Sequence, residues 1–141
     1  MRGCRRQFIV TLVAAVAASG CARSASDENR PAQSLPAPKD PDLGSVMERF
    51  YEQVEGLHWR FAYAMLAPAY RTRLSQDDLV RLYDGYASAD VNLRQQSDSI
   101  VVARIVTADP TTGQPRTVEE TATLVWEGTD WQIAAIRRRA L

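Results

Sequence analysis

The chain has 141 residues, with 17 basic and 17 acidic side chains, one histidine and two cysteines. That balance offers no basic surface from which non-specific nucleic-acid affinity could come. A lone histidine and two cysteines fall short of an ordinary zinc ligand set, and the chain has no Gly-rich phosphate loop and no defensible Ser/His/Asp order.

Residues Met1–Arg6 hold three arginines and no acid, Phe8–Ala18 form an apolar run of 11 residues, and Ala18-Ser19-Gly20-Cys21 follows as a small-residue cut site. Those are the three regions of a secretory signal, and the run is shorter than the roughly 20 residues that span a membrane. The Cys at the cut resembles the lipobox of bacterial lipoproteins, although Ala18 stands where Leu is usual. The resemblance implies a signal peptide over residues 1–20, lipidation of the Cys21 thiol with incorporation of palmitate, and attachment to the cell envelope facing the periplasm. Ala22 rather than Asp follows the Cys, which by resemblance to Gram-negative sorting favours the cell outer membrane. Arg5-Arg6-Gln7-Phe8-Ile9 also resembles a twin-arginine export motif, and an ordinary positive n-region accounts for the same pair. Cleavage would remove Arg2, Arg5 and Arg6 and no acid, so 14 basic and 17 acidic residues would remain. Cys4 would leave too, so the mature core would have no internal disulfide to support it.

Residues 21–41 carry Pro31, Pro36, Pro38 and Pro41 among Ser, Ala, Asp and Asn. They read as the lipidated Cys and a disordered linker, with a typical reach of roughly 25 Å for twenty residues. Residues 42–141 are then one domain of about 100 residues.

Leu43, Val46, Met47, Phe50, Val54 and Leu57 form a helical stripe that Gly56 is expected to end. Trp59, Ala62, Tyr63 and Leu66 repeat the pattern until Pro68, which should stop it. Ser75 with Asp78 is a capping-box-like start for a third helix carrying Leu79, Leu82, Tyr83 and Tyr86. His58, at a helix start, should be exposed, and Asp77 with Asp78 should serve the helix end rather than paired acid–base work. From Ala89 the period becomes two, with strands expected at 89–96, 99–107, 116–126 and 131–138, separated by Ser97-Asp98, Asp109–Gly113 and Gly128-Thr129. The expectation is α+β: three N-terminal helices packed on a four-stranded antiparallel curved sheet.

The helical half, from Phe50-Tyr51 through Trp59, Tyr63, Pro68, Tyr70-Arg71 and Leu74-Ser75, together with the close Leu124-Val125-Trp126-Glu127-Gly128…Trp131-Gln132-Ile133, resembles the NTF2-like (cystatin-like cone) superfamily. That resemblance implies a cone-shaped fold and little about activity, since the fold hosts isomerases, dehydratases, transport factors, secretion-system subunits and binding modules.

Registering the hairpins by their turns pairs Trp126 with Trp131, Leu124 with Ile133, Glu120 with Arg137, Arg104 with Glu120, and Val91 with Arg104. Arg104, Glu120 and Arg137 should then lie side by side on the helix-covered face, either as a structural ion network at the rim or as an anion anchor in a ligand pocket, unless a one-residue slip turns Glu120 outward. Tyr63 and Tyr83 are candidate pocket walls, although aromatics at helical spacing are more often core. The enzymes of the resembled family place a carboxylate or His deep in an apolar pocket. Here the expected deep layer of Leu124, Ile133, Trp126 and Trp131 holds neither. The reading is a non-enzymatic envelope lipoprotein that uses no cofactor and binds a small ligand or an envelope protein, with no nucleic-acid partner. An isomerase- or dehydratase-type enzyme, or a subunit of an envelope or secretion assembly, is the alternative.

Overall fold

The computed structural model describes residues 34–141; the expected signal peptide, Cys21 and most of the expected linker lie outside the described residues. The described chain is α+β, with four α-helices, a 3-10 turn and one four-stranded antiparallel sheet.

Helix α1 (Leu43–Glu55) starts where the Asp42 carboxylate accepts from the Ser45 N–H at 3.1 Å. It buries Leu43, Val46, Met47, Phe50, Tyr51 and Val54. Its end departs from expectation. Gly56 keeps a right-handed backbone and Leu57 takes the left-handed position, with φ 58°. The His58 N–H reaches the Gln53 carbonyl and the Leu57 N–H reaches that of Val54, the two closing bonds of a Schellman motif. A Cβ at Gly56 would sit 3.0 Å from the exposed His58 ring, which would have to give way slightly to admit it.

Helix α2 (Trp59–Ala64) stops before Pro68, and Pro68 opens a further short helix, α3 (Pro68–Arg71). Proline suits that first position, where its missing N–H has no partner to lose. Between the two helices the chain runs extended. Ile133 N–H donates to the Met65 carbonyl at 2.9 Å and Ala67 N–H to the Ile133 carbonyl at 2.8 Å, a parallel bridge onto the sheet edge. The expected count of three helices is thus four among the described residues. Helix α4 (Gln76–Leu82) has the full Ser75–Asp78 capping box. It is shorter than expected because Gly85, at φ 82°, breaks the backbone before the 3-10 turn Tyr86–Ser88. Leu79, Tyr83 and Tyr86 are buried while Leu82 is only half-buried.

The strands β1 (Asp90–Gln95), β2 (Ile100–Ala108), β3 (Pro115–Trp126) and β4 (Trp131–Ala140) pair in sequence order. The β3–β4 end pairs as expected, Trp126 with Trp131 and Leu124 with Ile133. Beyond it a bulge at Thr123/Leu124 shifts β4 by one, so Glu120 pairs with Arg138 rather than Arg137. The other two hairpins also differ by one. The β2–β3 loop spans six residues, 109–114, held by Asp109 N–H to the Gln114 carbonyl at 2.8 Å and Gly113 N–H to the Asp109 carbonyl at 2.8 Å. The β1–β2 turn is centred on Asp98 instead of lying between Ser97 and Asp98. A one-residue change exchanges the faces of a strand. Val101, Ala103, Ile105 and Thr107 therefore face the helices and Arg104 faces away.

The chain just ahead of α1 is tied to the domain earlier than residue 42. Leu35 N–H donates to the Gly128 carbonyl at 3.0 Å, and the Trp126 indole donates to the Leu35 carbonyl at 2.7 Å. Gly128, at φ 86°, also has no room for a Cβ, which would meet the Ser34 hydroxyl at 2.7 Å. Among the described residues no helix is long and apolar enough to cross a membrane.

Leu79 has no exposed surface, so Leu79→Ala is expected to cost about 2–5 kcal/mol. Leu82→Ala should cost less, because part of its side chain already meets water. Urea denaturation of the two variants checks the order.

Candidate functional site

A buried carboxylate organises the space between the helices and the sheet. Glu120, on the inner face of β3, is 0% exposed. Its Oε1 accepts from Arg138 Nε at 2.7 Å and from Nη2 of the same guanidinium. Its Oε2 accepts from the hydroxyls of Tyr51 at 2.7 Å and Tyr83 at 2.8 Å. Four donors thus converge on one carboxylate from α1, the end of α4 and β4, and both oxygens are saturated.

Arg138 is fixed by more than its charge. Its Nη1 donates to the Leu82 carbonyl at 2.6 Å, which satisfies a last-turn carbonyl of α4 with a cation at the negative end of the helix. Its guanidinium carbon lies 5.0 Å from the ring centre of Tyr83 and 4.9 Å from that of Tyr86, both cation–π distances. Around it, Phe50, Tyr51, Tyr83 and Tyr86 meet edge to face, with ring centres 5.1–6.3 Å apart.

Burial first, and then the neighbouring Glu120 charge, push the Tyr51 and Tyr83 hydroxyls far above their usual value of 10. Both therefore remain neutral donors at any physiological pH.

The expected triad is corrected accordingly. Glu120 does face the helices. Arg104 is exposed on the opposite face beside Asn92 and Glu119, and Arg137 is exposed there beside Thr121. Neither arginine reaches Glu120, because the β2 register and the β4 bulge turn each of them to the far side. Tyr83 belongs to the cluster. Tyr63 is half-buried and its hydroxyl donates to the Arg71 carbonyl at 3.2 Å, tying α2 to α3. Tyr51 and Arg138 are the residues that sequence reasoning missed. A signal for Tyr51 was present, since it falls four residues after Met47 and three before Val54 on the buried stripe. Arg138 sits among Arg137, Arg138 and Arg139, and nothing in their identity distinguishes them.

His58 is exposed, and its side chain makes no helix-capping hydrogen bond. Leu124 and Ile133 are buried, while Trp126 and Trp131, 5.8 Å apart at the hairpin end, are half-buried. Among the described residues no group of three His, Cys, Asp or Glu side chains is placed to hold a metal ion.

Outside the buried cluster the surface carries shallow grooves of about 280–340 Å³. One of them, about 290 Å³, opens against Arg138 and Tyr86. No family model, curated protein or solved structure matches this chain.

Removing the charge of Glu120 while keeping its shape leaves the Arg138 guanidinium half-enclosed without its anion. Glu120→Gln is expected to destabilise the domain by about 3–5 kcal/mol, read as a lower urea midpoint. The raised tyrosines set a second expectation. In the unfolded chain Tyr51 and Tyr83 lose their protons near pH 10, whereas in the folded chain they keep them. The unfolded state therefore binds fewer protons above that pH, and stability falls as pH rises beyond 10. Tyr51→Phe should flatten that fall. Absorbance at 295 nm should show Tyr51 and Tyr83 ionising only as the domain unfolds.

Proposed function

We propose that this chain is a lipid-anchored lipoprotein of the cell envelope, exported under residues 1–20 and held through Cys21, facing the periplasm and sorted to the outer membrane. Its α+β domain, read as a small NTF2-like cone, is a binding module rather than an enzyme, and it takes a small ligand or an envelope protein.

The observation that carries the non-catalytic reading is the state of Glu120. A general base needs a free lone pair within reach of a substrate proton, and a general acid needs a proton to give. Glu120 has no exposed surface, and its lone pairs are taken by two tyrosines and one arginine. Such a carboxylate positions helices over a sheet. It leaves any binding to the surface grooves, where Arg138 presents the outer side of its guanidinium.

The anchoring half of the proposal rests on the order of residues in the first 21 positions. Cys21→Ser is expected to leave a larger precursor, abolish incorporation of labelled palmitate and release the chain from the membrane fraction. A variant that still runs at mature size and sediments with membranes would refute the lipid anchor. Sucrose-gradient fractionation of the native chain decides the membrane, and recovery with the inner membrane would overturn the outer-membrane assignment alone.

A further inference from the structure

The groove against Arg138 has a polar lining of Arg81, Asp84, Tyr86, Thr107, Arg116 and Arg138. Two of its three guanidiniums are already compensated: Arg81 by Asp78 at 2.6 Å and Arg138 by Glu120. Thr107 has committed its proton to the Gly85 carbonyl at 3.0 Å. Arg116 is exposed and forms no ion pair with any described residue, so it is the one free cation of the lining. Asp84, exposed and likewise without an ion pair among the described residues, is the one anion.

Tyr86 supplies a second, independent observation. The residue is 3% exposed, yet its hydroxyl has no hydrogen-bond partner. A buried hydroxyl without a partner is uncommon and calls for an explanation. Arg116 lies beside that hydroxyl, close enough to favour its ionised form, so a guanidinium without an ion pair and a hydroxyl proton without an acceptor stand next to each other at one wall. The remaining wall is carbon: Leu82, Ala108 and Pro110.

We propose that this groove binds a small organic monocarboxylate, with its carboxylate on Arg116 and the Tyr86 hydroxyl and its carbon tail against Leu82, Ala108 and Pro110. The site deepens the reading of the domain as a binding module and rests on it. The planar guanidinium fork matches a carboxylate and makes charge-assisted bonds to it. One free cation balances one negative charge, and Asp84 in the lining, with Asp109 near enough to feel the Arg116 charge, repels a second, which favours a monocarboxylate over the phosphate dianion. A volume of about 290 Å³ lies at the small end of ligand sites and suits a tail of a few carbons.

The test uses the full chain, labelled with nitrogen-15 and kept in a neutral detergent, titrated at constant ionic strength with butyrate, inorganic phosphate and chloride. Butyrate should give saturable shifts of the Tyr86, Thr107 and Arg116 amides, and phosphate and chloride should not. Arg116→Gln, at an exposed position, should weaken butyrate at least tenfold, the loss of one charge-assisted bond. Tyr86→Phe keeps the ring and should weaken it severalfold with the spectrum otherwise preserved. Asp84→Asn should admit phosphate. Shifts that follow ionic strength alone, phosphate binding more tightly than butyrate in the native chain, or unchanged butyrate affinity in Arg116→Gln would each overturn the site. Chemical conversion of the butyrate would refute the non-catalytic reading and leave the site standing. Palmitate incorporation measured separately in cells keeps the anchoring claim distinct from both.

Discussion

A carboxylate with no access to water is the constraint around which the domain is arranged. An isolated ionised carboxylate is very costly inside a protein unless it is paired and hydrogen-bonded. Glu120 obtains its partners from three places in the chain: Tyr51 on α1, Tyr83 at the end of α4, and Arg138 on β4. Each donor has a fixed reach, so the helices can sit over the sheet in few ways that satisfy the acid. The buried ion pair is better understood as a device of alignment than as a source of stability.

The same arginine couples this cluster to the surface. Arg138 binds the buried carboxylate, closes the last turn of α4 through the Leu82 carbonyl, and lies against the rings of Tyr83 and Tyr86. Its side chain is still 21% exposed, and that part forms the wall of a groove. The structural core and the candidate ligand site thus share a side chain.

Each margin of the sheet is met at one point by chain from outside it. The outer edge of β4 is met at Ile133 by the extended link between α2 and α3. At the far margin, the Gln95 side chain at the end of β1 donates to the Pro41 carbonyl at 3.1 Å and accepts from the Leu43 N–H at 3.2 Å. The face turned away from the helices carries Arg94, Arg104, Arg137 and Arg139, and Arg139 pairs with Glu119 at 2.8 Å. Charged side chains and covered edges are the usual protection of an open antiparallel sheet.

Much of this was legible in the linear sequence because it depends on neighbours along the chain. The stripe of α1, the Ser75–Asp78 cap, the change of period at Ala89 and the Gly128 turn each follow from residues within a few positions of one another. The inward placement of Glu120 was legible too, because Val118, Ala122 and Leu124 share its parity on β3. What could not be read was the identity of its partners. Strand β2 is apolar at both parities, so Ile100, Val102 and Val106 competed with Val101, Ala103 and Ile105, and only Arg104 marked the outer face. On β4 three consecutive arginines left the choice open, and a single bulge settled it. The sequence by itself determined the α+β order of helices before strands, most of their positions and the turns between them, and it set Glu120 at the parity of the buried residues of β3. Only the tertiary structure decided that Arg138 and two tyrosines would meet it, because strand parity reverses with a single residue in a loop or a bulge.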